Sequence, residues 1–149
     1  MLFRSQNSLG FFSQKKHPFR RHFLRTGMKK LVYEIELTKD ISVLLSHFAL
    51  RKRARHRQLR ELQHLIQRRK HVILCGDFNI FDGLHELEDF IEECGLTIVN
   101  TLKDVTFPAA HPLKALDLFL CSSGMKIEDL RVLHPKASDH LPVLLKVRI

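Results

Sequence analysis

Short apolar runs separated by polar breaks predict a set of β-strands along this chain. LVYEIEL (31–37) and SVLLSHFAL (42–50) are rich in apolar and β-branched residues, and the TKDI segment between them indicates a hairpin. HVILC (71–75) is a third apolar run of strand length. Four later segments predict further strands, so the last third of the chain is mostly strand: LTIVN, ALDLFLC, EDLRVL and PVLLKVRI.

Two segments carry apolar residues at helical spacing instead. LHELEDFIEEC (84–94) has one apolar face, and Gly95 follows it in the position of a helix C-cap. Residues 53–69 form the longer predicted helix. Helices alternating with strands indicate an α/β chain. The apolar stripe of the longer helix consists of Ala54, Leu59, Leu62, Leu65 and Ile66.

Composition bounds the class of protein. A chain of 149 residues with 44% hydrophobic content is long enough for one domain with a real core. Its three cysteines form no CxxC pair, which fits buried thiols in a reducing compartment. No apolar run reaches membrane-spanning length. We therefore expect a cytoplasmic protein without a transmembrane segment.

The net charge of +9 is concentrated in the first half of the chain. Residues 1–70 hold 18 Lys/Arg against four acids, whereas residues 71–149 hold seven against twelve. The stretch 51–70 carries nine Lys/Arg and a single acid, Glu61. Such a stretch either binds a polyanion or forms a solvated helix face, and both interpretations stay open. The candidate contacts to phosphate or nucleic acid are Arg51, Arg53, Arg57, Arg68 and Arg69.

The N-terminal segment permits an alternative location. Residues 1–30 are rich in basic residues, contain several serines and have no acid, as organelle-targeting segments do. The segment lacks alanines, and its phenylalanines have no sustained helical spacing. Organelle targeting through a basic N-terminus is therefore the alternative to a cytoplasmic location.

Polar side chains recur at the ends of the predicted strands or interrupt them. Each has an ordinary structural explanation by itself, such as a turn cap or a satisfied strand histidine. Together they supply carboxylates for a hard cation, a carboxylate to orient an imidazole, and an amide, which is the equipment for phosphate-ester hydrolysis. The residues are His47, Asp77, Asn79, Asp117, Asp139 and His140.

Three linked motifs resemble those of the endonuclease/exonuclease/phosphatase superfamily, to which deoxyribonuclease I-like nucleases belong. They are GDFN after the third strand, an Asp in an apolar strand after TFP, and SDHLPV near the C-terminus. The resemblance covers about residue 9 to 149. It implies a deoxyribonuclease I-like β-sandwich flanked by helices and a divalent-metal-dependent hydrolase of phosphate esters, with phosphodiesters favoured. Nucleic acid, inositol phosphate and phospholipid all stay open as substrates.

The resemblance also implies a role for each motif residue. Asp77 matches the acceptor of a proton from the attacking water, and Asn79 matches the amide that holds this water or a phosphate oxygen. Asp139 matches a ligand of Mg²⁺ or Mn²⁺. His140 matches the imidazole that stabilises the transition state, and Asp117 the carboxylate that orients it. In the same family a strand histidine at the position of His47 assists the leaving oxygen.

The sequence departs from the family pattern in two places. The family domain begins with a strand bearing an Asn and continues with a metal-binding Glu, and neither motif precedes Leu31. Leu118 follows Asp117 where the family usually has a polar or aromatic residue. We therefore expect one partial domain over 1–149 that lacks the family's first half, with very low activity by itself and association through exposed sheet edges. The alternative is a non-catalytic remnant that binds phosphate or nucleic acid through the basic helix 51–70.

Overall fold

A mixed β-sheet with helices on one face forms the centre of the molecule. The computed structural model describes residues 2–5, 8–11, 14–28, 31–135 and 137–148, and only the backbone of residues 2–5 and 8–11. The helical elements are α1 (Lys52–Ile66), a 3₁₀-helix (Leu84–Leu87) and α2 (Glu88–Cys94). The strands are β1 (Leu2–Ser5), β2 (Ser8–Phe11), β3 (Phe19–Phe23), β4 (Leu31–Thr38), β5 (Ile41–His47), β6 (His71–Asp77), β7 (Leu96–Ile98), β8 (Asp117–Ser122), β9 (Lys126–Val132) and β10 (Val143–Arg148).

The main sheet has six strands in the order β3-β4-β5-β6-β8-β7. The β4–β5 pair is an antiparallel hairpin, as the sequence predicts. The β5–β6 pair is parallel and is joined by α1, because parallel neighbours need a long crossover connection. The predicted α/β class is confirmed.

The two faces of the sheet are covered by different elements. Leu44, Leu74 and Leu118 on one face belong to a core cluster that also contains residues of α1 and α2. On the other face Leu45 and Cys75 belong to a second cluster, against which the β9–β10 hairpin packs. Because side chains alternate along a strand, neighbouring positions of β5 and β6 enter different cores. The fold is therefore layered, with helices on one side and a smaller sheet on the other.

Helix α1 is held by polar anchors as well as by its apolar stripe. Arg55 is buried, donates to the carbonyls of Ala49 and Leu50, and pairs with Glu86 Oε2 at 2.5 Å. Lys52 pairs with Asp82 Oδ2 at 3.1 Å. Basic residues in the first turn of a helix oppose its dipole. The ion pairs with Asp82 and Glu86 offset that cost. They also join the basic first half of the chain to its acidic second half.

Several predicted boundaries shift. Strand β5 ends at His47, because the main chain of Ala49 is bonded outside the sheet: its N–H donates to Gln58 and its carbonyl accepts from Arg55. The helix predicted to residue 69 ends at Ile66, and the helix predicted from 84 begins as a separate 3₁₀ turn. Strand β10 pairs with β9 in a separate, smaller sheet, and the strand predictions did not include β1, β2 and β3. Gly95 does cap α2 in a left-handed conformation.

Among the residues that the structure describes, no helix is long and apolar enough to cross a membrane. The possible targeting segment 1–30 lies partly outside the described residues, so its interpretation stays a prediction.

Candidate active site

Three of the predicted site residues lie in one row across three neighbouring strands. His47 at the end of β5 is in register with Asp77 of β6, and Asp77 is in register with Asp117 of β8. Directly paired residues point to the same face, and adjacent strands lie about 4.8 Å apart, so the row spans roughly 10 Å. We call it the site row. It lies on the β9–β10 side of the sheet, because Leu45 and Cys75, two positions before His47 and Asp77, belong to that core.

Asp77 is the buried centre of the site row. Its Oδ2 lies 3.2 Å from Nε2 of His47, and its Oδ1 accepts the main-chain N–H of Asn79 at 2.9 Å. Asn79 adopts a positive φ of 52°, which Asn tolerates better than most residues. Its side-chain Nδ2 donates to the Phe48 carbonyl at 2.9 Å. Asn79 therefore ties together the exits of β5 and β6, in addition to any contact with a ligand.

Asp117 and His140 form a directly bonded pair at the other end of the site row. Nδ1 of His140 lies 2.7 Å from Asp117 Oδ2, so the carboxylate fixes the orientation of the imidazole ring. The Phe107 ring packs against the imidazole at a centroid distance of 4.7 Å. The structure therefore brings His140 into contact with a strand residue that precedes it by 23 residues in the sequence.

Two buried polar residues that sequence reasoning missed hold the backbone of β8. Asn100 donates to the Asp117 carbonyl at 3.2 Å and accepts the Phe119 N–H at 2.7 Å. Thr106 accepts the main-chain N–H groups of Leu116 and Asp117, each at 3.3 Å. The sequence features that could have indicated these two residues are the Asn that ends LTIVN and the Thr that begins TFP. Leu118 is fully buried on the helical face, so it does not point toward the site row.

Asp139 is exposed next to His140, and it provides a single carboxylate for a metal. Its Oδ1 accepts the Ser138 hydroxyl at 3.0 Å, and its carbonyl accepts the Ala109 N–H at 2.8 Å. No group of three or more His, Cys, Asp or Glu residues within the described ranges is arranged to hold a metal ion. Mg²⁺ is usually held by one or two carboxylates together with waters and substrate phosphate. The described residues alone therefore do not make a complete site for the implied ion.

The cysteines take no part in this chemistry. Burial raises the pKa of Cys121 to about 11, and burial next to Cys121 raises the pKa of Cys75 still further. Both thiols stay neutral near pH 7, whereas a thiolate is needed for nucleophilic attack. They pack in the core between the main sheet and the β9–β10 hairpin, as buried thiols.

The five candidate arginine contacts separate into different environments. Arg69 differs from the other four, because its guanidinium makes two bonds of 2.5 Å to the buried Glu34 carboxylate. Arg68 is exposed near the start of β6, at the opposite end of the strand from Asp77. Helix α1 also packs on the face of the sheet away from the site row. Arg51 and Arg53 are exposed where α1 begins, at the site end of the sheet, and Arg57 is exposed along the helix.

Comparisons with known proteins identify the fold and the family. The family model described as "Endonuclease-reverse transcriptase" matches residues 42–144. The endonuclease domain of TRAS1, a telomere-specific non-LTR retrotransposon, aligns over 99% of this chain and 78% of its own, with 19% identity and a TM-score of 0.68. The 3′ phosphatase NExo from Neisseria aligns over 88% of this chain and 70% of its own, with 14% identity and a TM-score of 0.65.

A protein of the endonuclease/exonuclease/phosphatase family from Bacteroides thetaiotaomicron also aligns, with 19% identity and a TM-score of 0.59. The alignment covers 78% of this chain and 52% of that protein, so the chain spans about half its length. No curated protein sequence matches. These structures confirm the deoxyribonuclease I-like fold that the motifs predict. The chain belongs to the endonuclease-reverse transcriptase family, within the endonuclease/exonuclease/phosphatase superfamily of phosphoester hydrolases.

Proposed function

We propose that this chain carries the catalytic residues of a divalent-metal-dependent phosphodiesterase. The observation that carries the proposal is the Asp117–His140 bond of 2.7 Å at the end of a row that also contains Asp77 and His47. Two carboxylates and one imidazole on adjacent strands, with a second imidazole bonded to one of the carboxylates, can accept one proton and stabilise one developing negative charge. Nucleic acid is the favoured substrate among phosphodiesters, because the matched family is described as an endonuclease family.

Each residue then has a distinct task. Asp77 accepts the proton of the attacking water, and its contact with Asn79 N–H fixes the direction of its other oxygen. His140 stabilises charge on the phosphoryl group, while Asp117 keeps the imidazole oriented. His47 assists the leaving oxygen from the other end of the site row. These tasks require the substrate phosphate to lie over Asp77 with His140 and His47 on either side.

The metal requirement is a separate part of the proposal. Asp139 is the residue that would hold Mg²⁺ or Mn²⁺, which supplies positive charge to a phosphate oxygen when bound. One exposed carboxylate is too few ligands for tight binding. We therefore expect millimolar metal to be needed and hydrolysis by this chain to be slow.

The test is hydrolysis of a labelled oligonucleotide by the full chain, with excess protein and Mn²⁺ titrated to millimolar levels. We expect chelator-sensitive cleavage, and a loss of about 10²–10⁴ in rate for both Asp77→Asn and His140→Ala. Asp82→Asn is the matched control, because this exposed carboxylate pairs with Lys52 outside the site row. An Asp77→Asn variant as active as the control would overturn the assignment.

A second candidate function is binding of phosphate or nucleic acid without catalysis. The exposed Arg51 and Arg53 at the site end of α1 favour it. Binding of the oligonucleotide without any cleavage that depends on Asp77 would support this alternative over the enzyme.

A further inference from the structure

A cleft of about 630 Å³ lies between α1 and the segment that follows β3. One wall comes from Arg57, Arg60, Glu61 and His64 on the helix. The opposite wall comes from residues 22–26. This cleft adjoins the helical face of the sheet, whereas the site row lies on the other face. It is therefore separate from the candidate active site.

The cleft is strongly and asymmetrically charged. Arg25, Arg57 and Arg60 line it and are exposed, and none of the three guanidinium groups has an ion pair with another described residue. Glu61 is the single acid in the lining, and its Oε2 accepts the Arg25 main-chain N–H at 2.5 Å. The Glu61 carboxylate thus holds the wall formed by residues 22–26. The three guanidinium groups that line the cleft stay without an ion pair to any described side chain.

The charge and shape of the cleft indicate its ligand. An open groove lined by three exposed cations is an arrangement that follows the phosphates of single-stranded nucleic acid. An acidic peptide and an anionic membrane surface supply negative charge as well, so polyglutamate and phosphatidylserine vesicles are the competing ligands to test.

The walls of the cleft are fixed from beneath by a buried glutamine. Gln58 donates to the Thr26 carbonyl at 2.9 Å and accepts the Ala49 N–H at 2.8 Å. Ala49 follows Phe48, whose carbonyl binds Asn79. One end of the cleft therefore lies at the same end of the sheet as the site row, on the opposite face.

We propose that this cleft is a second, non-catalytic binding site for single-stranded nucleic acid. The helix wall from residue 57 to 64 is about 10 Å long, which is the length of roughly three stacked nucleotides. The choice of nucleic acid as the anion rests on the proposed function, whereas the anion site itself rests on the three arginines and the cleft.

The experiment measures binding of a fluorescein-labelled twelve-residue oligothymidylate to the full chain by anisotropy, without divalent metal, at several salt concentrations. For the triple variant Arg25→Ala, Arg57→Ala and Arg60→Ala we expect Kd to rise at least about tenfold and the salt slope to fall by about 2. The matched control is Lys39→Ala, Lys103→Ala and Lys126→Ala, which removes the same charge from exposed positions outside the cleft. Equal losses in the two triples would overturn the proposal.

Competing ligands separate nucleic acid from other anions. Unlabelled oligothymidylate should displace the labelled strand, whereas polyglutamate or phosphatidylserine vesicles at the same concentration of charge should not. Binding of polyglutamate or phosphatidylserine vesicles with the same dependence on the three arginines would assign the cleft to a different ligand. The chain can bind the oligothymidylate through the three arginines whether or not it cleaves an oligonucleotide, so failure of the catalytic proposal and failure of this one give different results.

Discussion

At the scale of single residues, the Glu34 carboxylate beneath the end of α1 accepts several hydrogen bonds from side chains. Burial by itself raises the pKa of Glu34, but hydrogen bonds from Arg69 and His22 outweigh it and lower the pKa to about 2. Ser42 adds a further bond to Oε1 at 3.3 Å. The carboxylate therefore stays charged in the folded protein at pH values where it is protonated in the unfolded chain.

The stability of the fold should depend on this residue below pH 5. A carboxylate whose pKa is lower in the folded state stabilises the fold above its unfolded value of 4.5, and this contribution is lost as the pH falls toward 2. The shift corresponds to roughly 3 kcal/mol. Arg69→Met should destabilise the protein by about 3–5 kcal/mol at pH 7 and flatten the acid dependence of the urea midpoint. Arg68→Met is the matched control, and equal effects of both changes would contradict the assignment.

At the scale of elements, the close contact of β5 with β6 positions His47 next to Asp77. Gly76 has a φ of 133°, and a Cβ on it would lie 1.8 Å from the Ser46 carbonyl oxygen. The pairing of Ser46 with Gly76 directly precedes the pairing of His47 with Asp77. Only a residue without a side chain allows the two strands to meet here.

Gly76→Ala should therefore separate β5 from β6 at the site end. We expect a loss of several kcal/mol in the free energy of unfolding, because the obstacle is backbone and a neighbouring strand must move. Gly95→Ala is the matched control, since its Cβ would meet nothing within 4 Å and only its left-handed φ is strained. Thermal melts measure the stability of each variant, and amide exchange along β5 measures the separation of the two strands. Comparable melts of the two variants would refute the close contact.

The elements also show how far the sequence could predict the fold and the site. Periodicity located β4, β5, β6 and α1, because each has a clear apolar face against a core. It missed β3, whose residues are mostly exposed at the edge of the sheet. The motifs indicated Asp77, Asp117 and His140, but they could not show that Arg69 bonds to Glu34. That contact depends on how a helix end packs over a sheet 35 residues away.

At the scale of the whole molecule, the main sheet ends on one side at β3. This strand pairs with β4 alone among the described strands, and Phe19 on it is 62% exposed. The other edge strand, β7, has three residues and presents little free backbone. An open strand edge with a large exposed aromatic residue favours strand-to-strand association.

We expect the isolated chain to associate as its concentration rises, through β3. Phe19→Lys should shift the protein toward the monomer, because a charged side chain on an edge strand opposes pairing with another chain. Leu113→Lys is the matched control, since Leu113 is exposed in a loop away from β3. Light scattering after size exclusion measures the mass. A monomer at every concentration, or equal effects of the two changes, would disprove this mode of association.

The register of β5, β6 and β8 has a further consequence for how the protein fails. The site row exists because three strands pair in one alignment, and a slip of one position would turn Asp77 or Asp117 into the helical core. A buried carboxylate among leucines is too costly to persist. A molecule whose strands pair in a shifted register therefore lacks the site row and should be inactive, not partly active. In an ageing or heated sample, the total rate of any reaction at the site row should therefore fall in proportion to the number of correctly folded molecules. The rate per folded molecule should stay constant.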